Sequence, residues 1–218
     1  KGLLNVVSPS GRGGRLSILI FHRVFQEPDP VFPQEMHASR FDALCSWLRS
    51  WCNVLPLDQS AAHLAAGTLP ARAACITFDD GYADNHNVAL PILSRHGLVS
   101  TFFVASGFLD GGRMWNDSII ESIRRTNLKV MDLGEIGTYH VGTPVEKFAA
   151  INAVIRKIKY LEPTERQHVT DAIATEAKVV LPEDLMMTSA QVRALRQSGM
   201  QIGAHTVSHP ILARLDDG

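Results

Sequence analysis

The sequence predicts an α/β fold, a parallel sheet with helices outside it. Three observations carry that reading. Apolar runs of strand length, at 16–21, 73–78 and 100–105, alternate with longer stretches of helical periodicity, the pattern of a parallel sheet. Gly67 and Gly97 stand where two of those helical stretches would stop. His22, Asp79, Asp80 and His205 each follow a strand-like run, and sheets of this class gather their sites at the C-terminal ends of strands.

Taken in order, residues 1–15 carry glycine and arginine and lack the apolar core of a signal peptide. The run 16–21 reads as a buried strand, and 26–34 as a loop rich in proline and acid. In 39–51, Phe41, Leu44, Trp47, Leu48 and Trp51 recur at spacings of three and four, so a helix packing that stripe on the sheet is expected. A short strand at 54–57 and a helix at 58–66 follow. The run 73–78 is read as a buried strand, and 84–96 as a helix that Pro91 kinks. After the strand 100–105 comes a glycine-rich loop, then helices at 117–126, 145–161, 163–180 and 190–198, the last capped by Ser189. A final short strand spans 200–204. One domain is expected over 1–218, with 116–198 as a helical insertion within it.

The 218 residues suffice for one sizeable core, and 45% hydrophobic with 20% charged residues is the balance of a soluble globular chain. The formal charge of −1 supplies no basic field for nucleic acid or anionic lipid, and no apolar run is long enough to span a bilayer. Cys45 and Cys52 lie seven residues apart in one predicted helix. That is roughly 10 Å along the axis and too far to bridge. Reduced thiols are therefore expected for Cys45, Cys52 and Cys75, which with the missing signal peptide leans towards a cytoplasmic location.

The chemistry centres on two stretches. Thr77-Phe78-Asp79-Asp80-Gly81 ends a strand in two adjacent carboxylates, and neighbours on a strand serve one site only where the strand gives way to a loop. Gly81 supplies that break. His205-Thr206-Val207-Ser208-His209-Pro210 follows the last strand and offers two imidazoles four residues apart. Pro210 disfavours a regular helix through the pair, so a tight loop is expected. Two imidazoles and one carboxylate form a common ligand set for a divalent ion with one position open. The spacing does not say which aspartate joins them.

These two stretches resemble the first two motifs of the polysaccharide deacetylases, the NodB-homology domain of carbohydrate esterase family 4. Phe21-His22-Arg23-Val24, Ala89-Leu90-Pro91-Ile92-Leu93 and Thr101-Phe102-Phe103-Val104 extend the likeness, leaving 116–198 outside it. The resemblance implies an incomplete, distorted (β/α) barrel of the NodB-homology type. It implies hydrolysis of N-acetyl groups on an N-acetylhexosamine-containing polysaccharide. It implies Asp80, His205 and His209 as ligands of a divalent metal, zinc first and cobalt or another ion as alternatives, with Asp79 as general base. His22 and Trp115 are the expected substrate contacts. A strand-end role bonded to backbone serves His22 equally well, and a core position serves Trp115 equally well.

The family also has later motifs: an arginine segment, an aromatic–proline strand end and a late histidine acting as general acid. The sequence runs nine residues past His209, to Gly218, and those motifs are not in it. The expectation is a form truncated after the second motif that binds metal and is weakly active or inactive. The competing expectation is a non-catalytic glycan-binding or interaction module that keeps the fold.

Overall fold

All six residues of the strand Ala73–Phe78 are buried, as a near-continuous apolar run requires when both faces of a parallel sheet are covered. The computed structural model describes residues 2–211. In chain order the elements are α1 (Gly2–Val7), β1 (Leu16–Phe21), α2 (Ala38–Trp51), β2 (Asn53–Val54), α3 (Leu57–Ala66) and β3 (Ala73–Phe78). A π-helical segment (Asn85–Ala89) leads into α4 (Leu90–His96), then β4 (Thr101–Val104) and α5 (Trp115–Arg125). The rest are β5 (Val130–Asp132), β6 (Thr138–His140), α6 (Pro144–Ile158), α7 (Pro163–Ala177), α8 (Ser189–Gln197) and β7 (Gln201–Ala204).

The chain divides into two compact units. The first comprises Lys1–Pro28, Glu35–Gly111 and Asp184–Gly218; the second comprises Asp29–Gln34 and Gly112–Glu183. The sequence reading drew a helical insertion at 116–198, whereas α8 falls in the first unit with the sheet.

In the first unit the strands run in the order β1-β3-β4-β7, with β2 beside the start of β3, and every pairing is parallel. Phe21 pairs with Phe78, Phe78 with Phe102, and Phe102 with Ile202. The Phe78 and Phe102 rings stack at 4.8 Å, and Phe21 and Phe41 close on Phe78 at 5.4 and 5.8 Å. Each such pair adds about 0.5–1.5 kcal/mol beyond burial. This cluster lies one residue before Asp79 and holds the strand ends in place.

Three expectations for this unit change. The strand 16–21 is covered on one face only: Leu19 and Phe21 pack on the core while Ile18 and Ile20, on the opposite face, are exposed. Helix α2 buries Phe41, Cys45 and Leu48, leaving Trp47 and Trp51 exposed. A small thiol at the middle contact lets the helix seat on that side, so the stripe is rotated from the one the tryptophans implied. The cap of α8 is Thr188, whose hydroxyl accepts from Gln191 N–H while Gln191 answers the Thr188 N–H; Ser189 instead bonds Asp110.

The helix around Pro91 is widened. Leu90 N–H donates five residues back to the Asn85 carbonyl. Proline has no N–H and its ring crowds the carbonyl four residues earlier, and a wider turn accommodates both defects. In the second unit, α5, α6 and α7 bury Ile119, Ile123, Ile151, Val154 and Ile173 together, and β5 and β6 form a small antiparallel pair that the sequence reading left undivided. Among the described residues no helix is long and apolar enough to cross a membrane.

Candidate metal centre

The ladder between β1 and β3 continues one bond past the strand, from Asp79 N–H to the Phe21 carbonyl at 2.8 Å. The chain then turns sharply. Gly81 N–H donates back to the Asp79 carbonyl at 2.9 Å, a three-residue γ-turn with Asp80 at its centre and φ +74°. That sense of γ-turn is rare and strained. It persists because neighbours fix it: Ala105 N–H donates to the Asp80 carbonyl, Met187 N–H donates to the Gly81 carbonyl, and Gly81 itself has φ +91° with Val104 Cγ1 only 2.9 Å from where a Cβ would stand.

The histidine loop is built the same way. His205 N–H extends the β4–β7 ladder to the Val104 carbonyl at 2.9 Å. Ser106 and Gly107 N–H groups then donate to the Thr206 and Val207 carbonyls. The segment is a loop, as Pro210 predicts, with Thr206 and His209 at φ +63° and +48°. The Thr206 hydroxyl accepts from the His209 N–H at 2.9 Å, so it sets the backbone of the second histidine.

These two loops bring Asp80, His205 and His209 together. Both Nε2 atoms lie 3.3 Å from Asp80 Oδ1, and the imidazole centroids are 5.1 Å apart. One potential ligand atom from each residue lies within 4.8 Å of the others. Asp80 is 6% exposed, and its Oδ1 makes no hydrogen bond among the described residues despite the two nitrogens beside it. A buried carboxylate oxygen left so is costly. A tetrahedral ion with bonds of about 2.0–2.1 Å sets its ligand atoms roughly 3.3 Å apart. The donor set, the spacing and the orphaned oxygen therefore fit a divalent cation. The imidazoles, 32% and 38% exposed, leave the centre open on the solvent side.

Residues 66–134, the stretch that contains both aspartates, match the polysaccharide deacetylase family. The Bacillus subtilis protein YxkH, itself named as a polysaccharide deacetylase, is 29% identical over 92 residues, which are 41% of this chain and 32% of the relative. Two solved structures share the fold. Streptococcus pyogenes deacetylase PplD, solved with acetate, aligns at TM-score 0.52 and 17% identity over 92% of this chain and 60% of its own. A Bacillus anthracis protein named as a polysaccharide deacetylase aligns at TM-score 0.50 and 12% identity over 93% of this chain and 42% of its own. The chain thus spans about a third of the length of the curated relative it matches. Its sheet is that of the NodB-type (β/α) barrel.

The remaining expected site residues fall in different places. Asp79 is partly buried at the end of β3. His22 follows Phe21, which pairs with Phe78, so it stands level with Asp79 on the neighbouring strand; its side chain is exposed and its carbonyl accepts from Asn85 Nδ2. Trp115 opens α5 in the second unit, packed on that unit's apolar cluster with the Arg166 guanidinium 4.7 Å from its ring. The sequence reading missed Arg23, Asp84 and Asn85, which tie the His22 loop to the segment after β3. The one signal for them is position in the sequence: Asp84 and Asn85 come soon after Gly81, and Arg23 directly follows His22.

Proposed function

We propose that this chain is a metal-dependent hydrolase that removes N-acetyl groups from an N-acetylhexosamine-containing polysaccharide. The observation that carries the reading is the meeting of Asp80, His205 and His209 around one orphaned carboxylate oxygen, in a chain whose residues 66–134 match the polysaccharide deacetylase family. Asp80, His205 and His209 would hold a divalent ion, zinc first, which when bound supplies Lewis-acid polarisation of the acetamide carbonyl and of a water.

Asp79 is the neighbouring carboxylate outside the ligand set, and it takes the proton from the attacking water as general base. Cleavage of an amide also needs a proton on the departing nitrogen. His22, exposed just past the end of β1 and level with Asp79, lines the sugar and is the group available to give that proton. The products are acetate and a free amine. Thr206 keeps His209 in place through its backbone bond.

Acetate release from an N-acetylated oligosaccharide by the zinc-loaded chain tests this. Asp79→Asn is expected to retain zinc and lose at least about 100-fold in rate, and His22→Ala to retain zinc and slow markedly. Release of acetate by Asp79→Asn at the unaltered rate, or no release by the zinc-loaded chain, would contradict the reading. The second outcome favours a glycan-binding module.

A further inference from the structure

A second polar cluster is built on the residues that follow the Asp80 turn in the chain. Arg23 Nε donates to Asp84 Oδ2 at 2.8 Å, and the Val24 N–H donates to Asp84 Oδ1 at 3.2 Å. The Arg23 guanidinium lies 4.4 Å from the centre of the Phe25 ring and 4.6 Å from that of Tyr82. Asn85 Nδ2 donates to the His22 carbonyl at 2.9 Å and to Asp84 Oδ1 at 3.3 Å. Three consecutive residues are therefore gripped, His22 by its carbonyl, Arg23 by its side chain and Val24 by its N–H. All the grips come from the segment just after β3.

Stability alone does not explain the cluster. Asn85 is fully buried, yet its Oδ1 has no hydrogen-bond partner among the described residues. A half-satisfied buried amide is costly to keep. Burial pushes the Asp84 carboxyl up, and Arg23 pulls it back only in part. Buried ion pairs of this kind are weak sources of stability. Asn85 also opens the π-helical segment, a distortion that concentrates at functional sites. What the cluster does achieve is a fixed backbone under an exposed imidazole.

We propose that Asp84 and Asn85 are positioning residues that hold the His22 imidazole at the strand end beside Asp79, so that it meets the substrate in one orientation. The proposal rests on the role given to His22 above. A misplacement of about 1 Å at a reacting group can cost on the order of 100-fold in rate.

The test compares Asp84→Asn, Asn85→Leu and Arg23→Lys in the zinc-loaded 218-residue chain. Each variant is measured for kcat and KM in acetate release, for zinc content, and for the NMR signals of the His22 ring. The expected result is a fall in kcat of about 10–100-fold with KM and zinc content unchanged and the His22 signals shifted or broadened. Arg23→Lys, which keeps the charge but loses the planar stack, should show a smaller fall. Unchanged kcat and unchanged His22 signals would overturn the proposal, as would a loss of zinc in step with kcat. If the unaltered chain releases no acetate, the functional reading fails and the His22 signals alone decide the positioning role. If Asn85→Leu does not fold, the other two variants decide it.

Discussion

Asp80 combines a left-handed backbone with a buried, unbonded carboxylate oxygen. Strain of this kind survives where the surroundings over-determine it, and it gathers at functional sites. Asp80→Gly would relieve the backbone and remove the orphaned oxygen, against the entropy glycine adds to the unfolded chain. Without metal, the variant is expected to be more stable by about 1 kcal/mol, and it should no longer retain zinc. Urea unfolding in the presence of chelator checks the first expectation, and a lowered midpoint would contradict it. The thiols give a pH prediction. Burial pushes Cys45 up to about 12 and raises Cys75 as well. The unfolded thiol ionises near about 8.5, so between there and about 12 the folded chain holds a proton that the unfolded chain has released. Stability should fall as pH rises through that window, and Cys45→Ala should flatten the slope of urea midpoint against pH.

The elements that position the site are a pair of loops fastened to one another. Gly107 has no room for a side chain, since a Cβ there would stand 2.6 Å from the Val207 carbonyl oxygen, a backbone atom of the histidine loop. Gly107→Ala must displace that loop, so zinc affinity should drop about 10–100-fold with every ligand intact. Titration with a competing chelator measures it, and wild-type affinity would show that the loop position matters little. Much at this scale was legible in the sequence. The continuous apolar run before Asp79 read correctly as a buried strand, and Pro210 correctly excluded a helix through the histidines. The rotation of α2 was not legible, because Trp47 and Trp51 fit the helical period as well as Cys45 does, and only packing on the sheet chooses between them. The π-helical segment was equally hidden, since Pro91 signals a defect without saying whether the helix bends or widens.

At the scale of the molecule, two motifs more than 120 positions apart in the chain meet because parallel pairing sets β7 beside β4 and β4 beside β3. The parallel order was foreseeable from strand–helix alternation. Which aspartate faces the imidazoles was not, since both follow the same strand; the γ-turn at Asp80 directs that residue to them. The central claim is that this convergence is a metal site, and the most direct measurement is zinc content of the purified chain and its variants after dialysis against trace zinc. The account predicts about one ion per chain, lost in Asp80→Ala, His205→Ala and His209→Ala and retained in Asp79→Asn. Zinc absent from the unaltered chain, or bound equally by all four variants, would contradict it.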